Sequence, residues 1–217
     1  MLLAEEYALL AIRPDTGRHA LGTRSQLNAC LAGLLLAELV LDGTAQLGHQ
    51  RGTLVLTAGP IPRSRPLAAA AQVAAQKGPK IKPILSHLDR GLRDQLGHGT
   101  WDTLTAGLTH AGLLQPRTDG RRGGHSLVGS GVRADIIARL SAAATSDGPL
   151  DPRTALVLSM TGPAHLLEVV APHRGDRRHA RRRIDHSLDG SPFEPLARAV
   201  RRLIADAQAT AGFVAGT

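Results

Sequence analysis

Residues 28–43 read NACLAGLLLAELVLDG, and no other stretch limits the fold as tightly. Leu27, Leu31, Leu34, Leu35 and Leu39 recur at the three- and four-residue spacing of a helix pressed into a core. Ala29, Ala32, Gly33 and Ala37 are small, so neighbouring helices can approach closely, and Glu38 is the one charge inside the apolar run. Asp42-Gly43 supplies the stop, because glycine adopts the left-handed backbone that ends a helix. At about 1.5 Å per residue such a helix runs roughly 25 Å, the width of a small domain. A rod this apolar has to be wrapped by other elements.

The wrapping is predicted to be helical. Aromatic residues make up only 2% of the 217-residue chain, so the core is left to Leu, Ala, Val and Ile, of which Leu and Ala favour helices. Apolar spacing predicts helices over 2–12, 67–76, 81–96 and 101–111. Thr100 is the expected N-cap of the last of these. Further helices are expected over 133–144 and 195–211, and a long one over 152–170, kinked at Gly162-Pro163, that turns His165, Leu166 and Leu167 to the core. Turn-rich segments inside 44–57 and 113–128 predict two β-hairpins. The fold class is therefore mostly α, a compact multi-helix bundle around a central hydrophobic helix with two β-hairpins, forming one domain over 1–217.

Several chemistries find no support. The chain has no HExxH, P-loop, GxSxG or dinucleotide fingerprint, so no catalytic residue, cofactor or metal site is predicted. Adjacent Glu5 and Glu6 point about 100° apart on a helix and are read as charges favouring its N-terminus. Cys30 is the only cysteine, which excludes an internal disulfide, and its place on the central helix predicts a buried apolar role. Glu5 and Glu6 stand where a secretory leader would be basic. The apolar core at 31–41 is shorter than the roughly 20 residues of a membrane span. A cytoplasmic protein is expected.

The formal net charge is +8, with Arg far outnumbering Lys, which occurs only at 77, 80 and 82. Such an excess suits an anionic partner, and Arg is the better fork for phosphate. Arg90 and Arg93 leave one face of the 81–96 helix together. Two readings stand for them: a fork pair for one phosphate group, or guanidiniums absorbed by Asp89 and Asp94. The densest run, Arg174, Arg177, Arg178, Arg181, Arg182 and Arg183, reads either as a solvated helix or as a surface for an acidic leaflet. Helices 81–96 and 101–111 followed by hairpin 113–128 also match the order of a winged-helix DNA-binding regulator, with Arg117, Arg121 and Arg122 in the wing. Against that alternative, the 101–111 helix offers Thr103, Thr105, Thr109 and His110 but no Arg or Lys, and no nucleic-acid partner is expected.

Three segments, LLAEEYALLAI at 2–12, CLAGLLLAELVLDGTAQL at 30–47 and ALVLSMTGPAHLLEVVAP at 155–172, together with the Arg-rich run before the last helix, resemble the Golgi phosphoprotein 3 family and its bacterial members. The resemblance implies a mostly helical fold around a central hydrophobic helix and a non-enzymatic, peripheral membrane protein. Golgi members of that family bind phosphatidylinositol 4-phosphate through a basic pocket and act as adaptors. The family pocket uses a Trp before the central helix, an Arg within it and an Arg-x-x-Arg pair on a later helix. Arg90-Gly91-Leu92-Arg93 matches that pair, whereas Thr23 stands at the Trp position and Ala32 at the first Arg position, with Arg24 nearby. The headgroup site implied is Arg90, Arg93, Arg24 and Thr23, the partner an anionic phospholipid or phosphoinositide headgroup on the cytoplasmic face of a membrane. Some relatives self-associate through the second hairpin, so a homo-oligomer through 113–128 is a further expectation.

Overall fold

The central helix is α2, Arg24–Leu41, four residues longer at its start than the spacing of 28–43 predicts. Leu31, Leu34, Leu35, Leu36 and Leu39 are fully buried, because helices meet α2 on every side of the apolar run. In the computed structural model the described residues are 1–19, 24–59, 62, 64–117, 124–129 and 131–214, with side chains to 209. They form ten helices and two small antiparallel sheets. By length and mean hydropathy, 1.2 over 18 residues, α2 could cross a membrane; 72% of it is buried inside the fold. The longer start is what brings it to that length.

The helix α1, Leu3–Ala11, lies along α2, with all but Glu5 of its residues buried. Glu5 Oε2 accepts the Leu2 N–H at 2.8 Å and closes the first turn, the expected N-terminal use of a carboxylate. Glu6 behaves otherwise: it is buried and ion-paired. The first hairpin pairs β1, Ala45–Leu47, with β2, Leu54–Leu56, in the register Gln46 to Val55. Next come α3, Arg65–Lys77, and α4, Ile81–Leu96, which pack so closely that a Cβ on Gly91 would fall 2.3 Å from Val73 Cγ2. The stripe Ile84, Leu88 and Leu92 is buried as its spacing predicts.

The helix α5, Thr100–His110, is capped by Gly99 rather than Thr100, which sits one residue inside the first turn with its hydroxyl buried. It leads into the second hairpin, β3, Leu114–Pro116, with β4, His125–Leu127. That hairpin rests on the loop after α1: the His125 N–H donates to the Gly17 carbonyl at 2.9 Å, and Arg117 Nη1 donates to the Asp15 carbonyl at 3.2 Å. The basic hairpin tip, Arg121 and Arg122 included, lies outside the described residues.

The helices α6, Gly131–Thr145, and α7, Pro152–Thr161, follow. The long helix expected over 152–170 is broken rather than kinked. Pro163 has no N–H to donate, His165 takes a left-handed φ of 59°, and only a short turn, α8, Leu167–Val170, resumes. His165 is exposed, not in the core, because the break rotates it outward. The basic helix α9, Arg177–His186, docks on α6 and α7 through Ala180 and Ile184. The last helix, α10, Glu194–Val214, returns across α2 and α4 on Leu196, Val200 and Ile204. It crosses α2 so closely that a Cβ on Gly33 would lie 2.5 Å from Val200 Cγ2, which is why a small residue is needed there.

Candidate anionic-lipid site

The Arg-x-x-Arg pair sits on the outer face of α4, one turn from its C-terminus. Arg90 and Arg93 leave the helix on neighbouring sides, with side chains 83% and 63% exposed. Each has an acidic neighbour four residues away, so both readings of the pair carry a structural element. Arg93 Nη2 is 3.0 Å from Asp89 Oδ2, a hydrogen-bonded ion pair. Arg90 Nε is 3.9 Å from Asp94 Oδ2, a distance at which no hydrogen bond forms.

Asp89 is the organising group of this face. Its Oδ1 accepts the Asn28 side-chain amide at 2.9 Å and the Thr100 backbone N–H at 2.7 Å, while Oδ2 takes Arg93. It therefore joins α2, α4 and the start of α5. A carboxylate beside the N–H groups of a helix start occupies the position where a bound anion is ordinarily stabilised. A cavity of about 270 Å³ opens next to it, lined by Asn28, Ser86 and Asp89 on one side and by Leu85, Leu203 and Ile204 on the other. Neither Arg90 nor Arg93 lines that cavity.

Arg24 lies at the start of α2, and its guanidinium is 2.5 Å from Asp102 Oδ2 on α5. It is about half exposed and is tied to α5, the helix whose first residue donates its N–H to Asp89. Thr23 lies outside the described residues. Ala32 is buried against the neighbouring helices, so the position that the family fills with an Arg contributes apolar packing here.

A second cationic surface belongs to α9. Arg177 is committed to Glu168 and to the carbonyls of Ala171 and Pro172, and Arg183 to the Gly148 carbonyl. Arg174, Arg178, Arg181 and Arg182 are exposed, with no carboxylate partner among the described residues. Arg178, Arg181 and Arg182 follow the spacing of one helical face.

The winged-helix alternative would need α5 to offer side chains to base edges. Its hydroxyls are spent on backbone carbonyls instead: Thr105 Oγ1 donates to the Trp101 carbonyl at 3.0 Å, Thr109 Oγ1 to the Thr105 carbonyl at 2.8 Å and Thr103 Oγ1 to the His98 carbonyl at 3.0 Å. Trp101 and Thr105 are buried. Such a helix faces the core more than any groove.

Burial pushes the Cys30 thiol up to about 12, which leaves it un-ionised and unreactive at neutral pH. Among the described residues no three His, Cys, Asp or Glu side chains gather to hold a metal ion. What sequence reasoning missed is the internal pairing of Glu6 and Glu38 with Arg139 and Arg153, since the partners lie more than a hundred residues apart. The only hint was a Glu left inside an apolar run.

A helical, cation-rich molecule built on a buried axial helix is the class that fold and surface define. The family model Golgi phosphoprotein 3 (GPP34) matches residues 3–207, and the chain belongs to that family. It is a family of lipid-binding adaptors and not a known enzyme family. No curated protein matches the chain.

Proposed function

We propose that the protein is a peripheral membrane protein that binds anionic lipid headgroups of the phosphatidylinositol 4-phosphate kind and serves as a non-enzymatic adaptor. The observation that carries this reading is the Arg90 and Arg93 pair, exposed on α4 with the Arg-x-x-Arg spacing that the sequence resemblance singles out. Its acidic neighbours are weak competitors. Exposed ion pairs contribute about 0–1 kcal/mol each, so a headgroup carrying two negative charges can displace Asp94 from Arg90 and share Arg93 with Asp89. Arg24 stands at the edge of the same face, and Thr23 precedes it in sequence. The free arginines of α9 add attraction that is not specific to one headgroup, about 1 kcal/mol for each one held near an acidic leaflet.

In this reading residues 1–217 act as one unit at the cytoplasmic face of a membrane, and hairpin 113–128 provides self-association. Flotation tests it, with vesicles of phosphatidylcholine alone and with phosphatidylinositol 4-phosphate added. The wild type floats with the second and less so as salt rises, because exposed charges are screened. Arg90→Ala/Arg93→Ala loses most of that binding. Equal flotation of variant and wild type removes the α4 pair as the headgroup site.

A further inference from the structure

The fold contains a further cationic site, away from both the α4 pair and α9. A cavity of about 410 Å³ lies where the first hairpin, the start of α4 and the start of α10 converge. Arg51, Lys82, Arg198 and Arg202 line it, with Glu194 as the only acidic side chain in its wall among the described residues. The four cations come from three segments far apart in sequence, and their commitments differ. Arg198 is paired with Glu194 one turn before it, and Lys82 Nζ lies 2.9 Å from Asp206 Oδ2. Arg51 and Arg202 have no ion pair or side-chain hydrogen bond among the described residues. The wall thus carries four positive charges against one negative, and two if Asp206 is counted.

The contrast with the α4 face is one of charge balance. There, Arg90 and Arg93 each have one acidic neighbour, Asp94 and Asp89, so cations and anions are equal in number. In the cleft two guanidiniums remain uncompensated in a concave space, where field lines concentrate and an anion is held more strongly than on a flat surface. Two further features shape the cleft. Residues of the first turns of both α4 and α10, Lys82 and Glu194 among them, line the cleft, so its wall is built at two helix starts. The hairpin that carries Arg51 is held in place: the Leu54 N–H donates to the Pro79 carbonyl at 2.7 Å and the Ile81 N–H to the Gly52 carbonyl at 2.9 Å. Arg51 is therefore carried on a turn tied to the helix that carries Lys82.

We infer that this cleft is an anion site for a phosphate monoester, separate from the Arg90 and Arg93 face, with Arg51 and Arg202 as the groups that bind the phosphate and Lys82 and Arg198 as its flanks. Paired guanidiniums from two elements give the forked contacts that a tetrahedral oxyanion accepts. A lipid headgroup and a free phosphate share this chemistry.

The experiment uses the full chain and two probes. Inorganic phosphate is titrated by calorimetry at constant ionic strength, and flotation is run with phosphatidylcholine vesicles containing phosphatidic acid. Arg51→Gln/Arg202→Gln is compared with the wild type, with Arg90→Gln/Arg93→Gln, and with Arg178→Gln/Arg181→Gln, which removes the same charge from α9. All six arginines are exposed, so folding is expected to survive, as checked by thermal melting. The cleft variant should lose roughly tenfold or more in phosphate affinity, while the α4 and α9 variants retain it. If its flotation falls in parallel, the ligand is a lipid headgroup; if flotation persists, it is a soluble phosphate, and both results support the site. Equal losses in all three variants, or phosphate binding by the cleft variant at wild-type strength, would overturn it. Failure of the α4 variant to change flotation bears only on the headgroup site proposed above.

Discussion

Arg153 Nη1 lies 2.7 Å from Glu38 Oε1 and ties α7 to the one carboxylate of the central helix. The other oxygen of Glu38 accepts the Leu3 N–H at 2.7 Å, and Glu6 of α1 meets both Arg153 and Arg139 of α6. Four helices are thus joined by two acids and two bases at the edge of the core. The acids are about nine-tenths buried, the arginines only about six-tenths. Each carboxylate is faced by a guanidinium, which offsets part of the cost of burying it.

Arg153→Ala should leave Glu38 buried without its cation. Breaking a buried pair costs about 3–5 kcal/mol; the exposure of Arg153 lowers the expectation to about 2 kcal/mol, read as a shift in the urea midpoint. Glu38→Gln/Arg153→Met should recover part of the loss, since no charge is then stranded. Losses for Glu38→Gln and Arg153→Met that add up to the loss in the double variant would show that the pair is not coupled.

Cys30 should resist alkylation in the folded protein. Its thiol is buried and held near pH 12, so iodoacetamide labelling at pH 8 should follow global unfolding and accelerate with urea along the unfolding curve. Fast labelling without denaturant would mean that α2 opens locally.

The start of α7 should be acid-sensitive. Burial raises the Asp151 carboxyl, but hydrogen bonds from Thr154 and the field of Arg139 outweigh it, and its pKa lies below the ordinary 3.8. A carboxyl lowered on folding stabilises the native state above its unfolded pKa and loses that contribution as pH falls through the native one. Asp151→Ala should cost about 1 kcal/mol at pH 7 as a lost N-cap. The gap between variant and wild type should shrink once the pH falls below 3.8, as followed by thermal melts across pH.

Asp89→Asn should strengthen vesicle binding. It keeps an oxygen for Asn28 and the Thr100 N–H while removing the charge that faces Arg93. With about 1 kcal/mol at stake for one basic residue freed near an acidic leaflet, flotation affinity should rise roughly fivefold. Weaker flotation by a well-folded variant would argue against Arg93 as a headgroup ligand.

Much of the fold was legible because a helix core leaves a local trace. Leu31, Leu34, Leu35 and Leu39 announce α2 by spacing alone, and Ile84, Leu88 and Leu92 do so for α4. The break after Thr161 was underread. The residues of 155–172 keep an apolar pattern on both sides of Gly162-Pro163, and periodicity cannot separate a kink from an interruption. The Thr100 cap failed for a different reason: Asp89 already satisfies the Thr100 N–H, and Gly99 fits the cap beside that carboxylate. The candidate site was legible only as a pair. The spacing of Arg90 and Arg93 puts them on one face, and Asp89 and Asp94 were visible as rivals. That Asp89 also binds Asn28 depends on how α2 crosses α4, which no stretch of sequence records. The cleft of Arg51, Lys82 and Arg202 is further from reach, because a hairpin turn and two helix starts meet only in three dimensions.

The interruption after Thr161 has an effect well away from the loop it makes. In an unbroken helix the Met160 carbonyl would bond to the residue four places on; here it accepts the Tyr7 hydroxyl at 2.8 Å, a phenol with no access to water. The turn away from the helical path after Thr161 thus opens to the first helix of the chain an acceptor at the end of α7. A straight continuation through 162–165 would set a backbone N–H in competition for that oxygen, so the corner that ends α7 is also a place where α1 is fastened.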